Sequence, residues 1–310
     1  MPEFWYRSHE LDTDIWGIRF QIEEPQEDGW NHWDTNTLIG VYKGWNNNNK
    51  LYSYSNKEYT GSLDVDKLNQ ITSARGNGFQ IIDWQMHCIM ALLYCAQYGH
   101  TNCQLKIGSG TKYYNRDTTG KSNTCGMNDT KGANPVPGLN DDGISGESSF
   151  INFWGLEDWW GGRAEIIKNI VLRKEEVVNG KTKYYLYIYE HDGTTRTVEI
   201  PYYDTRRIGL ITKLYFGKYC DVYPKEGISD DSNTTYFCDR LVSEGNPSQI
   251  WEFCHGVKGI DKLENTSYTG IFSLDSIGST DFSVGSRLAF RVNCVIVDNV
   301  EEFKNLVEIS

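Results

Sequence analysis

Three groupings in this chain have residue types and spacing that could do chemistry. The first is Cys95, His100 and Cys103, whose thiols and imidazole could hold a metal. No Cys-x-x-Cys pair accompanies them, and local spacing offers no fourth ligand for zinc. The eight cysteines therefore read as buried reduced thiols acting as small hydrophobes. The second grouping is adjacent acids, Glu23 and Glu24, Asp141 and Asp142, Asp230 and Asp231. Glycoside hydrolysis needs two carboxylates at a set separation in space, whereas neighbours in sequence usually mark a solvated loop. The third is Asn140, Asp141 and Asp142, hard oxygen ligands that suit calcium. Gly143 follows them, so an ordinary turn is the preferred reading and calcium stays open. No residue is assigned a catalytic role, no cofactor is required, and the chain is read as a non-enzyme.

A different chemistry, charge held among rings, is suggested by two distant segments. One reads Phe150-Ile-Asn-Phe-Trp-Gly-Leu-Glu-Asp-Trp-Trp-Gly-Gly162, and the other Val284-Gly-Ser-Arg-Leu-Ala-Phe-Arg291. Rings alternating with glycines fit neither a regular helix nor an alternating strand. They suit an irregular core in which large rings supply contact and glycines let the backbone turn. Glu157 sits among Trp154, Trp159 and Trp160, and a buried carboxylate needs donors. Arg287, in an otherwise apolar strand, is the candidate partner for a bidentate pair. A structural knot is preferred over catalysis for this motif.

The elements that must position these residues follow from pattern. Asp83 to Tyr98 carries apolar residues at spacings of three and four, which predicts an amphipathic helix ended by Gly99. Ile15 to Ile22 alternates as a strand. Leu38 to Tyr42 and Lys50 to Tyr54 flank the Asn46 to Asn49 run as a hairpin with a polar tip. Residues 108 to 149 form a long polar region. Residues 167 to 200 predict a β-hairpin insertion with turns at Asn179-Gly180 and His191 to Gly193. Further short strands are expected near Leu210 to Tyr215, Thr234 to Cys238, Gly270 to Leu274 and Leu288 to Val297. One main helix among many short strands gives an α+β class with long irregular loops.

At 310 residues the chain can bury a full core. Aromatics make up 14%, with 10 Trp and 20 Tyr, so some rings should face solvent, as on recognition surfaces. A formal charge of -12 argues against nucleic-acid binding, which needs cationic surface. No apolar run is long enough to span a bilayer, so no membrane insertion is expected. The opening residues lack a charged region followed by an apolar stretch, which predicts synthesis and folding in a cytosol. Residues 1–35 hold Trp5, Trp16, Trp30 and Trp33 in a polar stretch. They are read as an attachment or oligomerisation segment whose removal should leave the rest, 36–310, folded.

Taken in order, the motifs resemble the C-type-lectin-like virion and receptor-binding proteins of gut Bacteroidales-type bacteriophages and prophages. These are distant relatives of the formylglycine-generating enzyme fold. The marks are the Ala74 to Phe79 segment, the aromatic helix from Trp84, the glycine-rich loop, and the tryptophan motif. Thr235 to Asp239 and the Gly-x-Arg-Leu strand follow. The recurring core elements are matched by Gly155, Leu156, Glu157, Trp160 and Gly161, and by Gly285, Arg287 and Leu288. Trp154 is counted with this core. The resemblance covers roughly residues 36 to 305 and implies a C-type-lectin-like fold. It also implies a phage virion protein of tail- or head-fibre type, assembled in the bacterial cytoplasm, that displays a surface for a host glycan or protein.

In similar proteins the binding face lies in loops before the last strand. Here that is Ser248 to Ser283, with Trp251, Glu252, His255, Asp261, Asn265, Tyr268 and Asp275 as candidates. Implied partners are other virion subunits and copies of this chain, a trimer being favoured. Two alternatives stay open. One is a purely structural decoration protein. The other is a copper oxidase of the formylglycine-generating type, which would need Cys254 and Cys294 to converge on the metal.

Overall fold

The strongest local signals shape the centre of the molecule. In the computed structural model a helix runs Trp84–Tyr98, as the spacing predicts. Asp83 caps its start by accepting from the Met86 N–H at 2.9 Å, and Gly99 ends it in the left-handed conformation at φ 56°. That backbone region costs glycine nothing. The helix is less amphipathic than expected, because Trp84, Met86 through Leu92 and Tyr94 are all buried. A helix that is apolar on most sides belongs inside the protein. The structure describes residues 3–12, 15–33, 37–61, 63–108, 110, 125–126, 151–161, 164–176, 182–190, 193–200, 209–217, 220–228, 240–242, 250–255, 270–277 and 284–291. A second helix, Val65–Ser73, is capped by Asp64 and was not anticipated. Its signal was an N-cap acid ahead of Leu68, Ile71 and Thr72, the face it buries.

Around the central helix wraps a nine-stranded sheet. Along its main path the order is Thr195–Ile200, Thr182–Tyr189, Ala164–Glu176, Ile250–His255, Leu274–Ile277, Arg240–Val242, Gly209–Phe216 and Val222–Ile228, with Val284–Gly285 beside Ala164–Glu176. The architecture is mixed helix and sheet, with two helices longer than one turn and many short, mostly antiparallel strands among the described residues. Two pairings are parallel, Arg240–Val242 with Leu274–Ile277 and Ala164–Glu176 with Val284–Gly285. The sheet is thus larger and less uniform than the sequence suggested. The 167–200 hairpin is its first three strands, since Ala164–Glu176 also pairs with Ile250–His255. Alternation is clean there: Tyr184, Leu186 and Ile188 are buried while Tyr185, Tyr187 and Tyr189 are not. Gly270 to Ser273 forms a buried turn, and the strand begins only at Leu274.

The path's two end strands, Thr195–Ile200 and Val222–Ile228, touch at one seam without pairing. Asp221 ties this seam. It takes a bidentate contact from Arg196 at 2.7 and 2.9 Å and the Trp84 indole N–H at 3.1 Å. Burial alone would lower the Arg196 pKa, but its bonds to Asp221 and Glu190 outweigh that and raise it. Smaller sheets complete the shell. Thr37–Ile39, Leu288–Arg291 and Phe79–Ile81 form one, with Leu288–Arg291 in the middle. Trp45–Asn47 and Lys50–Tyr52 form a hairpin whose turn residues Asn48 and Asn49 have φ 50° and 58°. Two positive angles in a row make the tight turn that asparagine tolerates. The asparagine run is thus the turn expected, but Thr37–Ile39 pairs elsewhere.

Residues 1–35 do not stand apart from the body. Phe4–Asp12, Ile15–Gln21 and Asn31–Trp33 make a three-stranded sheet, and Phe4, Tyr6 and Trp33 are buried in the same core cluster as the central helix. Tyr6 accepts from Gln85 on that helix at 2.8 Å, and Ser8 donates to the Gly217 carbonyl at 2.6 Å. Trp5 and Trp30 remain partly exposed. This N-terminal sheet therefore has one face built into the core.

Candidate functional site

The tryptophan motif and the arginine strand do meet, but not in the pairing expected. Arg287 is fully buried and its carboxylate partner is Glu165, not Glu157. Its Nε donates to one Glu165 oxygen at 3.1 Å and an Nη to the other at 2.9 Å. Lys43 reaches the same carboxylate at 2.7 Å. The remaining guanidinium hydrogens go to the carbonyls of Gly40 at 2.9 Å, Val41, and Glu157 at 2.7 Å. Glu157 contributes its backbone oxygen to Arg287, while its side chain accepts from the Gly126 N–H at 2.8 Å. Sequence could not separate the two acids: Glu157 has the aromatic surroundings, and Glu165 has the right strand position beside Val284–Gly285.

Most of the predicted core residues are inside, but Gly155 and Leu288 are only half-buried and Trp154 is exposed. Trp160 is fully buried and donates to the Gly108 carbonyl at 2.8 Å; Glu157, Gly161, Gly285 and Arg287 are buried with it. Gly285 has a packing reason, since a Cβ there would lie 2.6 Å from the Thr60 carbonyl oxygen. Trp154 is the correction, at 48% exposed. Asn152–Phe153 and Leu156–Glu157 form a hairpin, and Trp154 (φ 54°) and Gly155 (φ 82°) are its two-residue turn. That turn points the indole outward over the helix end, where it donates to Gln97 at 2.7 Å.

Four of the residues expected in binding loops lie on strands. Trp251, Glu252 and His255 lie on Ile250–His255, an interior strand paired on both sides, and Asp275 lies on its neighbour Leu274–Ile277. Asp261, Asn265 and Tyr268 fall outside the described residues, as do Asn140, Asp141 and Asp142, Asp230 and Asp231, and Cys294. Among the described residues no group of three His, Cys, Asp or Glu is placed to hold a metal. His100 accepts the Asn102 N–H, and the Cys103 sulfur accepts that of Ile271. Among the described residues Cys88, Cys95, Cys103, Cys125 and Cys220 are thiols outside any disulfide. Burial pushes Cys88 well above the ordinary thiol range, Cys125 up to about 12, and Cys220 upward too. A thiol that keeps its proton is a poor nucleophile and a poor ligand.

Two surface features gather rings and charged side chains. A cleft of about 420 Å³ opens at the sheet seam, lined by Lys183, Glu199, Ile200, Tyr215, Tyr223, Pro224 and Lys225. The second lies on the asparagine hairpin. Trp45, Tyr52 and Tyr54 pack against one another with centroids 5.4 to 6.1 Å apart, and Tyr54 is 52% exposed. Lys57 stands over the Trp45 ring at 4.8 Å, and Arg75 lies between Tyr52 and Phe79 at 4.3 and 4.7 Å. The aromatic count implied such a surface. It could not locate it, because Arg75 comes from just past the end of the Val65–Ser73 helix. Compared with known proteins, the chain matches no protein-family model, and no curated protein matches it significantly.

Proposed function

We propose that this chain is a bacteriophage virion protein of tail- or head-fibre type. It would display a surface for a host-cell glycan or protein on a C-type-lectin-like fold. The observation that carries the reading is the junction of the two segments on which the resemblance rests. Residues 151–161 and 284–291 converge on Arg287, which reaches the Glu157 carbonyl from the link just after Gly285, itself packed against Thr60. That is the structural role the resemblance gives these motifs. It leaves partly exposed rings, Trp45, Tyr52, Tyr54, Trp154 and Tyr189, to face a partner. Rigid rings with a polar edge give contact area at low entropic cost.

The role also fits a core whose buried thiols hold their protons and whose buried Glu165 is engaged by two cations. Such groups serve cohesion. Two measurements test the proposal. Fluorescently labelled protein should bind host cells saturably, and mass spectrometry of purified particles should find the chain. Presence in particles without cell binding would move the assignment to a purely structural decoration protein. Absence from particles would overturn the virion reading.

A further inference from the structure

We infer that the Trp45–Tyr52–Tyr54 patch, with Lys57 and Arg75, is a binding site for a carboxylate-bearing glycan. The inference rests on the recognition reading above and names its site and ligand class. The first argument is charge. The chain carries 42 acids against 30 Lys and Arg, so most cations have acids to choose from. Several elsewhere use them, as Lys43 and Arg287 do with Glu165, Arg196 with Asp221, and Arg291 with Asp83, although Arg173 also rests on a ring, that of Tyr187. Lys57 and Arg75 do not. Among the described residues neither meets a carboxylate, and Arg75 makes no side-chain hydrogen bond. Their contacts are ring faces.

The second argument is shape. The hairpin turn at Asn48 and Asn49 holds Trp45 and Tyr52 as directly opposed cross-strand residues, with Tyr54 beyond them. Ring planes tilted by 26 to 47° make a shallow, faceted surface and not a flat sheet. A sugar ring lays its C–H face on such a surface, while its hydroxyls need polar neighbours. The exposed Asn48 and Asn49 are close in the chain to provide them. A uronic or sialic acid adds the carboxylate that Lys57 and Arg75 lack, and a planar guanidinium binds a carboxylate through two parallel hydrogen bonds. An apolar peptide would leave both charges unmet, and a neutral glycan would use only the rings. Charge and rings together select the acidic sugar.

Affinity electrophoresis of the full chain tests this. The gels contain polygalacturonate, alginate or polysialic acid, with carboxyl-reduced polygalacturonate and poly-L-glutamate as controls. The expected result is retardation by at least one acidic polysaccharide and by neither control. It should weaken about tenfold in Tyr54→Ala and in the pair Lys57→Gln/Arg75→Gln, an effect of the size seen for interface anchors. Circular dichroism melts that match the parent show that the variants fold. Equal retardation by poly-L-glutamate or by the reduced polymer overturns the ligand class. Retention of binding in folded variants, or no retardation in any gel, overturns the site. Cell binding is measured in parallel. Wild type that binds cells but none of the polymers rejects this assignment alone; wild type that binds neither rejects the recognition reading too.

Discussion

The buried knot around Arg287 and the surface patch around Arg75 use the same residue types to opposite ends. In both, an arginine, a lysine and aromatic rings gather: Arg287 lies 5.6 Å from the Trp159 ring centre, Arg75 4.3 Å from that of Tyr52. In the knot Glu165 engages both cations, and backbone carbonyls take the rest of the guanidinium. In the patch no carboxylate arrives from the described residues. The difference follows from dielectric. Burying a charge costs several kcal/mol unless it is paired and hydrogen-bonded, so an interior arginine must be saturated. Lys57 is exposed, so water meets that need, while half-buried Arg75 meets ring faces and has its Nε covered without a hydrogen bond. Saturation marks a group that holds the fold, and its absence marks one free to bind.

The comparison sharpens if each region is broken separately. The largest effect is expected from removing residues 1–33, which takes Phe4, Tyr6 and Trp33 out of the shared core. Emptying one buried aromatic site costs about 3–5 kcal/mol, so three should leave no folded domain. A truncated chain that melts cooperatively near the parent temperature would restore the separate attachment segment. Next comes Glu165→Ala. It strands two buried cations, and breaking a buried pair costs about 3–5 kcal/mol. Urea unfolding measures it, and a loss under about 1 kcal/mol would mean that water reaches the knot.

Asp221→Ala opens the sheet seam. It removes the acceptor for Arg196 and for the Trp84 indole, and an unsatisfied buried donor costs about 1–3 kcal/mol. Faster amide exchange in Thr195–Ile200 and Val222–Ile228 than elsewhere would show that the loss is at the seam. A uniform change across the protein would count against a latch there.

The thiols give a graded test. Folded Cys88, Cys125 and Cys220 have raised pKa values, so the native state holds protons that the unfolded chain releases above the ordinary thiol value of 9.0. Stability from this source is complete below pH 9 and falls as pH rises toward the folded values. The fall is about 1.4 kcal/mol per unit for each thiol in that window. Urea midpoints at pH 8 and pH 10 measure it, and equal midpoints would mean the sulfurs are hydrated. The smallest effect belongs to the patch. Tyr54→Ala and Lys57→Gln should each change stability by no more than about 0.5 kcal/mol. A larger loss on thermal melting would make the patch structural, and the contrast with the knot would fail.

Local sequence was sufficient where one stretch of chain holds all the partners. The Trp84–Tyr98 helix, its Asp83 and Gly99 ends, the asparagine turn and the alternating Tyr184 to Ile188 strand depend on neighbours within a few positions. Burial of Trp160, Gly161, Gly285 and Arg287 was legible for a related reason, since rings and glycines at that density have few uses outside a core. Tertiary structure alone decided which acid meets Arg287, because Glu157 and Glu165 are equally acidic and only the Val284–Gly285 pairing brings one to the guanidinium. It alone turned Trp154 outward, through two consecutive positive φ angles. It placed Trp251, Glu252 and His255 on an interior strand, since pairing with Ala164–Glu176 is a contact across some 80 positions that no local pattern records. It also carried Arg75 to Tyr52. Propensity and burial are written residue by residue, but a charge finds its partner only after the chain has closed on itself.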